Sequence, residues 1–322
     1  MEPASGQLFG PAERADWSRA HTVGMALDYG RALEFGISVV PDAAALEEAR
    51  AAVGAADRGG LDLVGIQDHP YQRRFLDTLA LIGTLLAETR RVRVFPDVAN
   101  LPLRPPATLA KQAASLDVLS GGRFELGLGA GAFWDAIEAM GGPRRTPTEA
   151  VEALEEAIAI IRQALAEERS VRLDGRHYRV RGYHPGPAPA HRIEIWIGAY
   201  RPRMLRLIGR LADGWLPSVG SYLRPEALPA MQRIIDEAAV KAGRDPAAVR
   251  RMVNLSGSIE APGAEGITGS VDDWVDLLSG WATDLGVDTF IFWPTTPGER
   301  QVELFGMEVA PKVRAEVARR RG

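Results

Sequence analysis

The chain has no cysteine at all, which excludes disulfide-built scaffolds, thiolate zinc sites, iron–sulfur clusters and cysteine nucleophiles together. It also lacks a long apolar run. The best stretch, Leu79 to Ala87, is interrupted by Gly83 and Thr84 and falls well short of the roughly 18 residues a membrane span needs. Charge of one sign is missing too: 38 Lys and Arg stand against 42 Asp and Glu, net −4. The charges form no blocks, so there is no basic stripe to neutralise phosphates along a nucleic acid. The start of the chain carries Glu2 where a secretory leader would be basic, with no apolar core behind it. Nucleic acid and membrane are therefore not expected as partners, and the cytoplasm is the expected location. A nucleophile elbow and a Walker phosphate loop are both absent, which disfavours hydrolase and phosphoryl-transfer chemistry.

What is present reads as an ordinary globular composition: 322 residues, 46% hydrophobic, 25% charged, 34 Gly and 22 Pro. The length suits either two domains or one large α/β barrel. Short β-rich runs alternate with helical patterns along almost the whole chain, the signature of β/α units on a parallel sheet. Eight strands are predicted: Leu33 to Val39, Leu61 to Gln67, Val92 to Val98, Phe124 to Gly129, Ile193 to Gly198, Gly214 to Pro217, Arg251 to Ser258 and Asp288 to Trp293. Helical spacing over Ala43 to Arg58, Leu76 to Thr89 and Ala107 to Leu119 fills the first gaps. The count favours a single closed (β/α)8 barrel over residues 1–322, whose active site would lie on loops after the strand C-termini. Residues 1–30 read as an N-terminal extension. Residues 132–192 read as an insertion after the fourth strand, a helix from Pro147 to Glu167 followed by a hairpin turning at Asp174-Gly175. Residues 261–270 read as an irregular loop.

Four places could carry chemistry. Gly127-Leu-Gly129-Ala130-Gly131-Ala132 matches the G-x-G-x-x-A dinucleotide fingerprint. Three β/α units precede it, however, where a Rossmann fold would put it in the first. The glycines read better as a place where a planar ligand approaches the backbone, or as a bare tight turn. Gly198-Ala199-Tyr200-Arg201-Pro202-Arg203 joins a strand to a helix, and a helix start with two arginines can hold a phosphate or can simply be solvated. His69, in Gln67-Asp68-His69-Pro70 at the end of the second strand, is either aimed into a barrel mouth or a structural histidine beside a capping Asp68. Phe133 and Trp134, just past the glycine turn, would wall a pocket or pack under the insertion. His177, His184 and His191 lack the spacing of a helical zinc site, and no metal is assigned.

Three blocks taken in order carry a family resemblance: Gly65-Ile-Gln-Asp68-His69; Leu101 through Ser120-Gly-Gly-Arg123 to Gly131; and Trp196 to Arg203 with Gly209-Arg-Leu-Ala-Asp213-Gly214-Trp215. From about Leu33 to Trp293 the chain resembles the bacterial luciferase-like oxidoreductases that depend on FMN or on the deazaflavin coenzyme F420. The resemblance implies a (β/α)8 barrel, usually dimeric, acting on a small organic substrate. It places His69 by the reactive face of the ring as the catalytic residue. It places a cis peptide at or within one residue of Asp97-Val98, with Asp97, Val98 and Ala99 supporting the ring. Gly129, Ala130 and Gly131 then lie along the ring or ribityl chain, and Gly198, Ala199, Tyr200, Arg201 and Arg203 form the phosphate turn. F420 is preferred over FMN, on the Asp-His turn and the overall pattern. F420 implies hydride transfer without oxygen; FMN implies monooxygenation with a separate reductase. One departure stands out: Ala132 occupies the position where sugar-phosphate dehydrogenases of the family carry a proton-donating Glu. A non-catalytic cofactor-binding or sensing protein on the same barrel is the alternative.

Overall fold

The computed structural model describes residues 27–166, 168–261, 266–296 and 298–322. Its first half runs β1 (Glu34–Val39), α1 (Leu46–Arg58), β2 (Leu63–Ile66), α2 (Thr78–Glu88), β3 (Arg93–Pro96), β4 (Ala99–Asn100), α3 (Pro106–Ser120) and β5 (Leu126–Gly129). Next come α4 (Trp134–Ala139), α5 (Pro147–Leu165), β6 (Val171–Asp174), β7 (Arg179–Tyr183), β8 (Ile195–Ile197), α6 (Pro202–Leu211), β9 (Gly214–Trp215) and β10 (Ser218–Val219). The chain closes with α7 (Leu228–Lys241), β11 (Arg250–Ile259), β12 (Ile267–Gly269), α8 (Val271–Asp284), β13 (Thr289–Pro294), α9 (Glu299–Glu303) and α10 (Ala310–Arg321).

Strands pair in the order β3-β2-β1-β13-β11-β9-β8-β5-β4, parallel throughout. The third predicted strand is in fact broken. Its lower half, β3, pairs with β2; after a bulge at Asp97 and Val98 its upper half, β4, pairs with β5. A bridge from Val94 to Phe124 brings the two sides of the gap together, and the result is the expected α/β barrel. The Rossmann alternative for the glycine turn lacks its open sheet.

Strand periodicity decides what lies inside. Every second residue points inward, and Leu63, Phe95, Trp196, Leu216, Met252 and Ile291 fill the barrel as one buried layer. Gly127 is needed for this closure: a Cβ there would sit 2.1 Å from the Pro96 carbonyl oxygen. The opposite faces pack against the helices through residues such as Ile82, Leu109, Ile158, Ile208 and Phe305. The N-terminal end of the barrel is plugged by ions. Arg93 bridges Glu34 and Glu125, each at 2.7 Å, and Arg250 reaches Glu34 at 3.3 Å and Asp288 at 3.5 Å. That end belongs to stability, leaving the C-terminal mouth for chemistry.

The insertion differs from its sequence reading in two respects. Its helix α5, started by a Thr146–Glu149 capping box, ends at Leu165; Glu167 lies outside the described residues. The hairpin does not turn tightly on Asp174-Gly175. Residues 175–178 form a longer loop because Glu156 accepts from the backbone N–H groups of Arg176, His177 and Tyr178 at 2.8–2.9 Å. Three amide bonds to one carboxylate outweigh a local turn preference. The segment read as an irregular loop contains β12, which pairs with β11; residues 262–265 and the extension up to residue 26 lie outside the described residues.

Candidate active site

Above the apolar layer, the next inward-facing positions are small or polar. Asp97 and Val98, joined by a cis peptide, both face inward. Val98 extends its methyl groups over the glycines: a Cβ on Gly127 or Gly129 would lie 3.2 Å and 2.7 Å from them. Asp97 faces the other half of the barrel, where the Asn254 side-chain amide donates to its Oδ1 at 3.2 Å. Asp97 Oδ2, Asn254 Oδ1, Asn100 Oδ1, Trp293 Nε1 and Thr295 Oγ1 are buried without a hydrogen-bond partner among the described residues. Native interiors leave few such atoms. Four of them stand at or just past the ends of β3, β4 and β13, and Asn254 sits midway along the longer β11; together with Val98 they offer polar groups and an apolar surface to a ligand.

Burial pushes the Asp97 carboxyl up to about 6, against the pull of the Asn254 amide. The sign follows from linkage: the folded chain holds this proton more tightly than the unfolded one, so stability falls as pH rises from the ordinary carboxylate range through about 6. A rise of that size is worth about 3 kcal/mol between the neutral and charged forms. Asp97→Asn keeps the shape and removes the charge, and is expected to raise unfolding stability at pH 8 by about 1–3 kcal/mol while changing it little near pH 4. Urea midpoints at the two pH values measure this; a variant that loses stability at pH 8 would mean the carboxylate is held by a favourable partner.

The second strand end is organised by an ion pair. Asp68 is buried and does not cap a helix; Asp77 caps α2 instead, accepting from the Ala80 N–H. The two Asp68 oxygens accept from Arg104 Nε and Nη2, each at 2.7 Å, and from the Asn100 N–H at 2.8 Å. Arg104 also donates to Asp77 at 2.8 Å. One guanidinium thus ties the end of β2, the start of α2 and the β4 segment beyond the bulge into a rigid frame. His69 projects from that frame, half-buried. Burial holds its imidazole below the usual value, against the pull of the Asp68 charge. Its ring stands edge-on to Phe133, centroids 5.6 Å apart, and Nδ1 lies 2.7 Å from the Tyr71 hydroxyl. The pairing sets Phe133 beside His69, half exposed. Trp134 instead folds back on the glycine turn, where a Cβ on Gly131 would be 2.9 Å from its ring and 2.6 Å from Pro102.

At the other side of the mouth, the turn before α6 holds its predicted residues in unequal ways. Tyr200 points inward, its hydroxyl accepting from the Ser218 N–H at 2.9 Å, so its side chain is committed to β10. The Ala199 carbonyl accepts from Trp215 Nε1. Arg201 is exposed at the N-cap of α6, and no side chain caps this helix start. Arg203 pairs with Glu152 on α5 at 3.2 Å, away from the turn. Backbone N–H groups and the helix dipole, more than the arginines, are what this turn offers to an anion. A Cβ on Gly198 would make ordinary contacts with the Leu216 carbonyl oxygen at 3.4 Å and with the Val98 methyl groups at 3.7–3.8 Å. Tyr71, Arg104 and Asn254 were not singled out by the sequence. Only Tyr71, two residues from His69 across Pro70, left a local signal.

A family model described as luciferase-like monooxygenase matches residues 27–265. The chain belongs to this family. The 5,10-methylenetetrahydromethanopterin reductase of Archaeoglobus fulgidus is 32% identical over 230 residues, covering 71% of this chain and 65% of the archaeal protein. The match therefore spans just under two thirds of that relative's length. The coenzyme F420-dependent tetrahydromethanopterin reductase of Methanopyrus kandleri shares the fold with a TM-score of 0.75 at 20% identity, over 87% of this chain and 99% of that one. The oxygenating constituent of 3,6-diketocamphane monooxygenase from Pseudomonas putida, solved with FMN, gives 0.71 at 19% identity, over 88% and 99%. Both reductive F420 proteins and an FMN monooxygenase thus lie on the barrel this luciferase-like chain adopts. The unpartnered polar atoms and the Val98 methyl groups have the chemistry that a planar ring with polar edges would call for.

Proposed function

We propose that this luciferase-like protein is an oxidoreductase that binds coenzyme F420, or failing that FMN, at the C-terminal mouth of the barrel and acts on a small organic substrate. The observation that carries the reading is the set of unpartnered buried polar atoms at Asp97, Asn100, Asn254, Trp293 and Thr295, on a luciferase-like chain with a relative named as a 5,10-methylenetetrahydromethanopterin reductase and a fold neighbour named as coenzyme F420-dependent. Bound there, the group would supply the hydride chemistry. The residues of this chain do the rest. The backbone at Asp97, Val98 and Ala99 supports one face, Gly129 and Gly131 make room for Val98, Pro102 and Trp134 at the edge of the site, and the start of α6 after Gly198 receives a phosphate. His69 stands at the rim as a neutral hydrogen-bonding group toward a substrate oxygen, with Phe133 walling the pocket. On the family resemblance, the protein works as a homodimer, and with FMN it would draw on a separate reductase.

Equilibrium titration of the purified protein with F420 and FMN, oxidised and reduced, followed by absorbance and fluorescence, tests this. Saturable F420 binding with FMN at least about tenfold weaker, a gap of about 1.4 kcal/mol, is the expected result. A preference for reduced FMN would turn the reading to monooxygenation. Binding of neither would overturn the site, and tight binding without turnover on a broad substrate panel would favour a sensing protein.

A further inference from the structure

We propose that Tyr71 is a positioning residue that fixes the tautomer of His69, placing the single ring proton on Nε2 so that the imidazole meets its substrate as a hydrogen-bond donor. The inference rests on the reading of His69 given above but concerns a different residue and a different property. Pro70 begins a turn closed by the Gln72 N–H donating to the His69 carbonyl at 2.9 Å, a position proline favours. The turn folds the Tyr71 ring back beside His69, centroids 5.6 Å apart, with Phe133 5.9 Å from the tyrosine and edge-on to the histidine. Two aromatic neighbours hold the imidazole plane, and the 2.7 Å contact between Nδ1 and the hydroxyl joins the pair.

The direction of that hydrogen bond follows from the chemistry of the partners. Burial and the Asp68 charge push the Tyr71 hydroxyl above its ordinary value, so it keeps its proton. Burial keeps the imidazole neutral near pH 7. Among the described residues the hydroxyl has no acceptor other than Nδ1. A phenol is a better donor than a neutral imidazole N–H, and an imidazole nitrogen is a better acceptor than a phenol oxygen. The O–H therefore donates to Nδ1, and the ring proton stays on Nε2. Asp68 is the charged group beside the pair, and Arg104 already neutralises it, so no carboxylate competes for the proton. An Nε2–H suits an oxygen that gains negative charge during reduction or loses a double bond. It does not suit a group that must first give up a proton to the same nitrogen, since Nε2 already carries one.

The test uses the protein alone, without cofactor, so that its outcome is independent of the cofactor titration. Long-range proton–nitrogen NMR on the 15N-labelled chain distinguishes the two ring nitrogens, with His69→Gln assigning the His69 signals. At pH 7.5 the wild-type chain is expected to show an unprotonated Nδ1 and a protonated Nε2. Tyr71→Phe removes only the hydroxyl; it should give a mixture of tautomers and raise the His69 titration midpoint by about half a unit or more, because a bond to the neutral form has been lost. A wild-type ring protonated on Nδ1, a doubly protonated ring at pH 7.5, or tautomer populations unchanged in Tyr71→Phe would each overturn the assignment. Unchanged circular dichroism in the variant confirms that the fold is intact.

Discussion

His69→Ala is expected to lower turnover by about a hundredfold or more, the range a positioned proton-handling side chain contributes, while the dissociation constant for the cofactor changes little. The split follows from where His69 stands. It rises from the rigid end of β2, clamped by Tyr71 and Phe133, and faces the open side of the mouth. The cradle around Asp97, Val98 and the α6 start sits on other strands. Removing the ring therefore deletes the rim donor and leaves the cradle as it was. His69→Gln keeps a donor in nearly the same place and is expected to recover part of the loss. Substrate-dependent bleaching of the bound cofactor, beside a binding titration of the same preparations, measures both quantities. Equal turnover in wild type and His69→Ala would remove the histidine from the reaction, and a large loss of cofactor affinity would make it a holder and not a catalyst.

Arg104→Met is expected to cost about 3–5 kcal/mol of folding stability, the penalty for leaving one member of a buried pair without its partner. Asp68 is 1% exposed and Arg104 10%. Once the guanidinium is gone, the carboxylate keeps, among the described residues, the Asn100 N–H as its one remaining donor. Arg104→Lys should also be costly, since a point charge cannot match the two-pronged contact and reach Asp77 as well. The double variant Asp68→Asn with Arg104→Met removes both charges and should regain much of the loss. A double-mutant cycle in urea reports the coupling. The same variants should weaken cofactor binding, because the pair ties the end of β2 to the segment just beyond the Asp97–Val98 bulge. A loss below about 1 kcal/mol in Arg104→Met would place the pair in the class of solvated surface bridges.

The barrel was legible in the sequence because its evidence is local. A strand with a helix behind it writes its own period into the chain, and strands such as Glu34–Val39 and Arg250–Ile259 lie within a few residues of where the pattern puts them. The break in the third strand was legible only through family resemblance, since nothing in Val92 to Val98 announces that one half will pair left and the other right. The Asp174-Gly175 turn misled because a carboxylate 18 or more residues away, Glu156, captured the loop amides. The site divides in the same manner. His69, the glycines before Phe133 and the turn at Gly198 stand at the ends of readable strands. Tyr200 reads as a phosphate-turn residue, and its hydroxyl also accepts from the Ser218 N–H, a bond no spacing rule contains.

By itself, then, the sequence determined that this is an α/β chain without thiol chemistry, that its strand ends carry a histidine and two glycine-bearing turns, and that these belong to a luciferase-like pattern. Tertiary structure alone decided that Arg104 neutralises Asp68 across 36 residues, that Asp97 meets Asn254 across 157, and that Arg203 is drawn off to Glu152. The physical reason is that periodicity records which face of an element is apolar, a property of neighbouring residues. The protonation and partnering of a polar side chain depend on which distant strand closes beside it, and that is settled only when the barrel forms.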